Sequence, residues 1–225
     1  MTTNYFIHEK ETTKLFYNEY LYKLVLRNNL VSIFRGQNFT YARQQLDILQ
    51  TKYENGDYLK LDQAPLNITV EQFVGAKFLL TELDNQKKYK IRIESPNMAI
   101  YSNDKKWLEY LKTKPLNYTE FWSPDKKYMH LLQKNTILTN DKQYDNSYKV
   151  TLDNKVDPTF YNWIISNPTK VKVGNTCLES IKKGQYVRGF YLYIKDEKIL
   201  SLVMLMIGSQ IARIDNLVYK AVKDK

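Results

Sequence analysis

The chain of 225 residues is short of cysteine, histidine, glycine and arginine, with one, two, seven and six of them. Each scarcity removes a class of chemistry. A single thiol, Cys177, can neither close an intramolecular disulfide nor build a cysteine-based zinc site. His8 and His130 stand in no metal-ligand spacing, and no segment has two glycines placed for a phosphate-binding loop. Long apolar runs are missing as well. The longest, Ile199 to Ile207, is interrupted by Ser201, and a bilayer span needs about 20 residues. The opening Met1-Thr2-Thr3-Asn4-Tyr5 lacks the basic-then-apolar pattern of a secretory leader. These absences predict a protein of the reducing cytoplasm, with no cofactor, no catalytic or metal site and no membrane partner.

The arginine shortage bears on partners. Arg27, Arg35, Arg43, Arg92, Arg188 and Arg213 are the only arginines among 34 basic residues, and the rest are lysines. Arginine reads guanine with a planar fork, whereas lysine offers a point charge that suits phosphate. Against 24 acidic residues the formal charge is +10, with a pI near 9.3. Such an excess attracts polyanions: nucleic acid, anionic lipid or acidic protein. For a nucleic-acid partner, DNA or RNA, this composition predicts backbone contact rather than base readout. The 19 tyrosines and the abundant lysine and asparagine also fit an AT-rich genome, viral, phage, organellar or bacterial. A viral source would place the protein in a virion or host cytoplasm.

Local signals place the elements. Asn38 or Thr40 can cap a helix with Ala42, Leu46, Leu49 and Tyr53 on one face, stopped by Gly56. Thr69 and Gln72 form a capping box ahead of Phe73, Ala76 and Leu80. Asp157-Pro158 opens a helix that buries Phe160, Trp163 and Ile164 and ends at Asn167-Pro168. Thr176 and Glu179 suggest a short helix closed by Gly184. Strand signals cover 22–27, 89–94, 98–101, 148–152, 170–173, 186–195 and 211–219.

A repeat emerges from these segments. Tyr22-Lys23-Leu24, Tyr89-Lys90-Ile91 and Tyr148-Lys149-Val150 share a Tyr-Lys-apolar opening. Two strand-to-helix junctions also match. Ile100-Tyr101-Ser102-Asn103-Asp104 and Leu192-Tyr193-Ile194-Lys195-Asp196 each end a strand just before a capping aspartate. The competing explanation is that strand, Asp cap and amphipathic helix is common grammar. The fold class read from this pattern is α+β, two strand-and-helix modules that are candidates for a diverged duplication. Apart from an extra short helix at 176–183, the C-terminal module has the β-α-β-β-α-β order of ferredoxin-like and RNA-recognition-motif folds. Residues 1–112 form the first module, 113–147 a linker or insertion, and 148–225 the second.

Arg188-Gly189-Phe190 fits the opening of the third-strand motif of RNA-recognition domains, but Tyr191 and Leu192 stand where a small residue and a stacking aromatic belong. Alternation puts Tyr191 and Tyr193 on one face and Phe190 and Leu192 on the other. Lys170, Lys172, Lys182, Lys183 and Arg188 would gather into a phosphate-facing patch if strands 170–173 and 186–195 pair. Lys87, Lys88, Lys90 and Arg92 would occupy the matching region of the first module. Either group can equally be an ordinary solvated face. These residues, with Phe190, Tyr191 and Tyr193, are the candidate nucleic-acid contacts. The leading expectation is a non-enzymatic, sequence-tolerant nucleic-acid-binding protein. A second is a viral or phage assembly protein that self-associates through the apolar helix at 199–207. A third is a metal-dependent nuclease, for which Glu94, Asp104, Asp153, Lys155 and Asp157 are the available groups.

Overall fold

A computed structural model describes residues 7–61, 67–114, 116–140 and 147–220. Met1-Thr2-Thr3-Asn4-Tyr5 and Pro115 lie outside the described residues. The chain divides into two compact units. The described part of the first consists of 7–12, 19–61, 67–114 and 116–125, and that of the second of Thr13–Asn18, 126–140 and 147–220.

The first unit contains strands β1 (His8–Thr12) and β2 (Tyr22–Arg27), then helices α1 (Phe39–Glu54) and α2 (Val70–Asn85). The hairpin β3 (Tyr89–Glu94) and β4 (Asn97–Ser102) follows, then α3 (Lys105–Lys112) and β5 (Tyr118–Pro124). Its five strands are ordered β1-β5-β2-β4-β3. β1 is parallel to β5, and every other pair is antiparallel. The second unit runs β6 (Thr136–Thr139), β7 (Tyr148–Leu152), α4 (Thr159–Ile165), β8 (Val171–Val173), α5 (Asn175–Lys182), β9 (Tyr191–Ile194), α6 (Glu197–Ile207) and β10 (Ile211–Tyr219). Its sheet is ordered β6-β10-β7-β9-β8, with β6 parallel to β10 and the rest antiparallel.

The protein is therefore α+β, built of two strand-and-helix modules. Count β2, β3, β4, β5 and β7, β8, β9, β10 as first to fourth strands of their units. Both sheets then run fourth-first-third-second, with an added strand parallel against the fourth. The succession of strands and helices predicted for 148–219 is present from β7 to β10. The ferredoxin-like expectation covers four strands, whereas this sheet has five, and α5 fills the connection between β8 and β9.

Each sheet buries one face under its helices. Leu24, Leu26, Met98, Ile100 and Phe121 join Leu46, Leu49, Phe73, Leu79 and Leu108 in the first core. Val150, Leu152, Leu192 and Ile194 join Phe160, Ile164, Ile181, Leu200 and Val203 in the second. The caps work as the sequence pattern predicts. Thr69 and Gln72 exchange hydrogen bonds of 3.1 and 3.2 Å, and Asn38 Oδ1 accepts from the Tyr41 amide at 3.0 Å. Asp104 accepts from the Trp107 amide and Asp196 from the Ile199 amide, both at 2.9 Å.

Differences from the sequence pattern have local causes. β5 and β6 lie in the interval 113–147. In β5 the pairing register slips by one residue beside Val25 and Leu26, so Tyr118 and Phe121 both turn inward at an odd spacing and the period of two is lost. β6 has only four residues, and β1, His-Glu-Lys-Glu-Thr, carries no apolar alternation. β9 begins at Tyr191 instead of 186 because Val187–Phe190 forms a turn with Gly189 at φ +81°. α4 starts at Thr159, whose amide donates to Asp157 at 2.8 Å. Tyr53, placed by periodicity with the buried stripe of α1, is 49% exposed.

Removing either capping carboxylate, Asp104→Ala or Asp196→Ala, should cost about 1 kcal/mol. The two caps serve helices of separate cores, so the losses should add within ~0.5 kcal/mol in the double variant. Urea denaturation followed by circular dichroism checks both.

Candidate nucleic-acid interface

Alternation along a strand sends every second side chain away from the core. In the second unit α4, α5 and α6 all contribute to one core cluster, so the opposite sheet face carries none of that unit's helices. On it lie Lys149 and Thr151 of β7, Tyr191 and Tyr193 of β9, Lys172 of β8, and Arg213 and Asp215 of β10. Leu192 and Ile194, their neighbours on β9, are fully buried. This assigns the tyrosines to the helix-free face and leaves Phe190 packed against the core.

Tyr191 is 43% exposed. The Tyr193 ring meets it edge-on with centroids 5.4 Å apart, and Lys149 Nζ stands 3.9 Å from the Tyr191 ring centre. Burial lowers the Lys149 pKa below the ordinary lysine value, and the nearby charge of Lys14 adds to the effect. Asp215, opposite Lys149 in the ladder, opposes the shift and accepts from Arg213 Nε at 2.8 Å. Beside this cluster a shallow cavity of about 160 Å³ is lined by Ile137, Thr139, Lys149, Tyr193, Leu217 and Tyr219, among others. The arrangement offers flat aromatic surface, a cation held against it, and further cations on the flanking strands. Chemically, such a surface can stack against a flat ring and meet an anion beside it.

The helix-free face of the first sheet carries a tighter charge cluster. Glu120 pairs with Lys10, accepts from Trp122 Nε1 at 2.7 Å and has Lys23 Nζ at 3.8 Å. Lys23 and Lys10 stand 4.2 and 5.1 Å from the Trp122 ring centre. Burial pushes the Glu120 carboxyl up, but the hydrogen bonds from Lys10 and Trp122 outweigh it and hold the group below its ordinary value. Lys90 and exposed Arg92 occupy the edge strand β3 on the same face, with Arg92 paired to Glu94 at 2.5 Å.

The predicted site residues are therefore distributed. β8 and β9 do pair, and Lys172, Tyr191 and Tyr193 share one face. Lys182 lies on the helix side, its Nζ 5.4 Å from the Tyr161 ring of α4, and Lys183 caps the same helix α5. Arg188 is in the turn before β9, 3.1 Å from Asp153. Lys170 immediately precedes β8, and Lys87 and Lys88 are exposed just before β3. Lys149 and Arg213, absent from the predicted set, belong to the face. The repeated Tyr-Lys opening marked Lys149, but only its alternation with buried Val150 and Leu152 assigns it there.

Among the described residues no group of three or more His, Cys, Asp or Glu side chains could hold a metal ion. The carboxylates considered for a nuclease have structural partners: Arg92 for Glu94, Arg188 for Asp153, and helix-end amides for Asp104 and Asp157. No helix of the described residues is long and apolar enough to cross a membrane. Elsewhere on the second unit, α6 leaves Leu202, Met204, Leu205 and Met206 exposed, Leu205 to 85%. No family model, curated protein or solved structure matches the chain.

Cys177 is buried in the second core, and burial alone raises its thiol to about 11. Iodoacetamide at neutral pH should therefore label it at least tenfold more slowly in the folded protein than in guanidinium, because the thiolate is the nucleophile. Mass spectrometry against time gives the ratio.

Proposed function

We propose that the protein binds single-stranded nucleic acid without base selectivity, through the helix-free face of the second sheet. The observation that supports this reading is the cluster of exposed Tyr191 with half-buried Tyr193 and Lys149, flanked by Lys172 and Arg213. Lysine supplies phosphate contact, which is indifferent to sequence, and the tyrosine rings supply stacking, which every base can satisfy. The excess of +10 charge adds long-range attraction. With so few arginines, readout of guanine contributes little. Labelled 30-nucleotide single-stranded DNA and RNA of mixed sequence should bind with affinity that falls as salt rises. Tyr191→Ala should weaken binding by about 1–3 kcal/mol with little change in the salt slope, since it removes a stack and no charge. Absence of binding at low salt, or a flat salt response, would remove this reading.

A second reading is favoured by α6. Leu202, Leu205 and Met206 form a stripe at helical spacing on its outer side, opposite buried Leu200, Val203 and Ile207. Such a stripe fits a second copy of the same helix lying antiparallel across it. Lys198 would then approach the C-terminal carbonyls of the partner helix, where a cation is favoured. Three exposed side chains are a small contact beside the ~1,600 Å² of a standard interface, so the dimer should be weak. Sedimentation equilibrium at rising concentration should show a monomer–dimer exchange that Leu205→Glu abolishes without altering the thermal midpoint. A concentration-independent monomer excludes it.

A further inference from the structure

The two sheets share residue register as well as strand order. In the first, Tyr22 pairs with Ser102, and Asp104, two residues on, caps α3. In the second, Tyr148 pairs with Ile194, and Asp196, two residues on, caps α6. One residue further along β2 and β7 stand Lys23 and Lys149. Lys23 is opposite Tyr101, and Tyr101 is opposite Lys90. Lys149 is opposite Tyr193, and Tyr193 is opposite Lys172. At this one level a row of Lys, Tyr and Lys crosses the first, third and second strands of each sheet, on the face away from the helices.

The inner lysines share a physical state. Burial lowers the pKa of both Lys23 and Lys149, and a neighbouring cation, Lys10 or Lys14, lowers it further. Lys23 has Glu120 beside it and feels Glu94, and Lys149 has Asp215; each of these acids is shared with another cation, Glu120 with Lys10, Glu94 with Arg92 and Asp215 with Arg213. Both rows therefore keep an excess of positive charge. The outer lysines, Lys90 and Lys172, are exposed on edge strands. The buried or half-buried tyrosine between them holds the two lysines one strand apart, so their Cα atoms stand about 10 Å from each other. Two side chains of that length can reach a single phosphate or two successive ones. A lysine-rich composition explains exposed lysines anywhere. It does not explain a half-buried one at the same level of the same strand twice, where burial opposes its charge.

We infer that the two modules are copies of one unit and that each Lys–Tyr–Lys row is a phosphodiester subsite, giving the protein two equivalent contacts for a nucleic-acid strand. This deepens the binding reading above and rests on it. The test compares the full-length protein with the pair variants Lys23→Gln/Lys90→Gln and Lys149→Gln/Lys172→Gln, and with the helix-side control Lys182→Gln/Lys183→Gln. The probe is fluorescein-labelled 30-nucleotide oligothymidylate, titrated at several salt concentrations. Each row variant should reduce the slope of log K against log salt by about 1.4, two phosphate contacts at ~0.7 each, and the control should leave it unchanged. Where an inner substitution lowers the thermal midpoint, the exposed single variants Lys90→Gln and Lys172→Gln should each reduce the slope by ~0.7. Wild-type binding with both row variants at the wild-type slope, or with one row responsive and the other silent, overturns the subsites and spares the binding reading. No wild-type binding at low salt removes both.

Discussion

Everything on the helix-free face of each sheet follows from the period of two along a strand that has helices on one side only. Once Leu24 and Ile100, or Val150 and Leu192, are committed to a core, the residues between them have one place to go. A lysine between two buried residues cannot enter the core without losing its hydration, so Lys23 and Lys149 are held on the opposite face by their neighbours. Their ammonium groups stand over aromatic rings, Trp122 in one unit and Tyr191 in the other, where the negative face of the ring attracts the cation. The cationic character of each face is thus a by-product of the same constraint that builds each core.

How much of this could be read from sequence depended on whether a rule was local. The capping box at Thr69 and the aspartates at 104 and 196 announce themselves within a few residues, and the structure uses each as a cap. Strands with clean alternation, such as Tyr22–Arg27 and Tyr89–Glu94, were equally plain. β1 was invisible because its five residues have no apolar phase; it is held by parallel pairing to a strand more than a hundred positions later. β5 was hidden by its own bulge. The sites followed the same divide. Tyr191 and Tyr193 could be paired to one face by parity, but which face met the helices depended on Leu192, and that is a tertiary fact. Lys182 and Lys172 are near in sequence and part company because a helix and a strand carry them to different layers.

The total charge says less than its placement. Several lysines lie over rings or beside acids: Lys10 with Glu120, Lys112 with Glu9, Lys105 with Glu109. Exposed pairs of this kind contribute little to stability. The two sheets then differ in a useful way. The first shares one carboxylate among two lysines and an indole, a compact cluster that keeps its cations in surplus. The second keeps its aromatic surface open at Tyr191.

The allocation of Thr13–Asn18 to the second unit has a consequence for the covalent path. The Thr13 carbonyl accepts from the Leu138 amide at 2.7 Å, and Asn18 Nδ2 donates to Asn135 at 2.7 Å. The backbone passes from one unit to the other after Thr12, after Asn18 and after Asp125. Two autonomous beads would need a single passage. With three, one nick by a protease at any of these points still leaves the units joined by peptide bonds, and no single cut yields both units intact. The six residues stitched into the second unit also leave the ribosome before most of the first, so the second unit cannot finish folding as a purely C-terminal event.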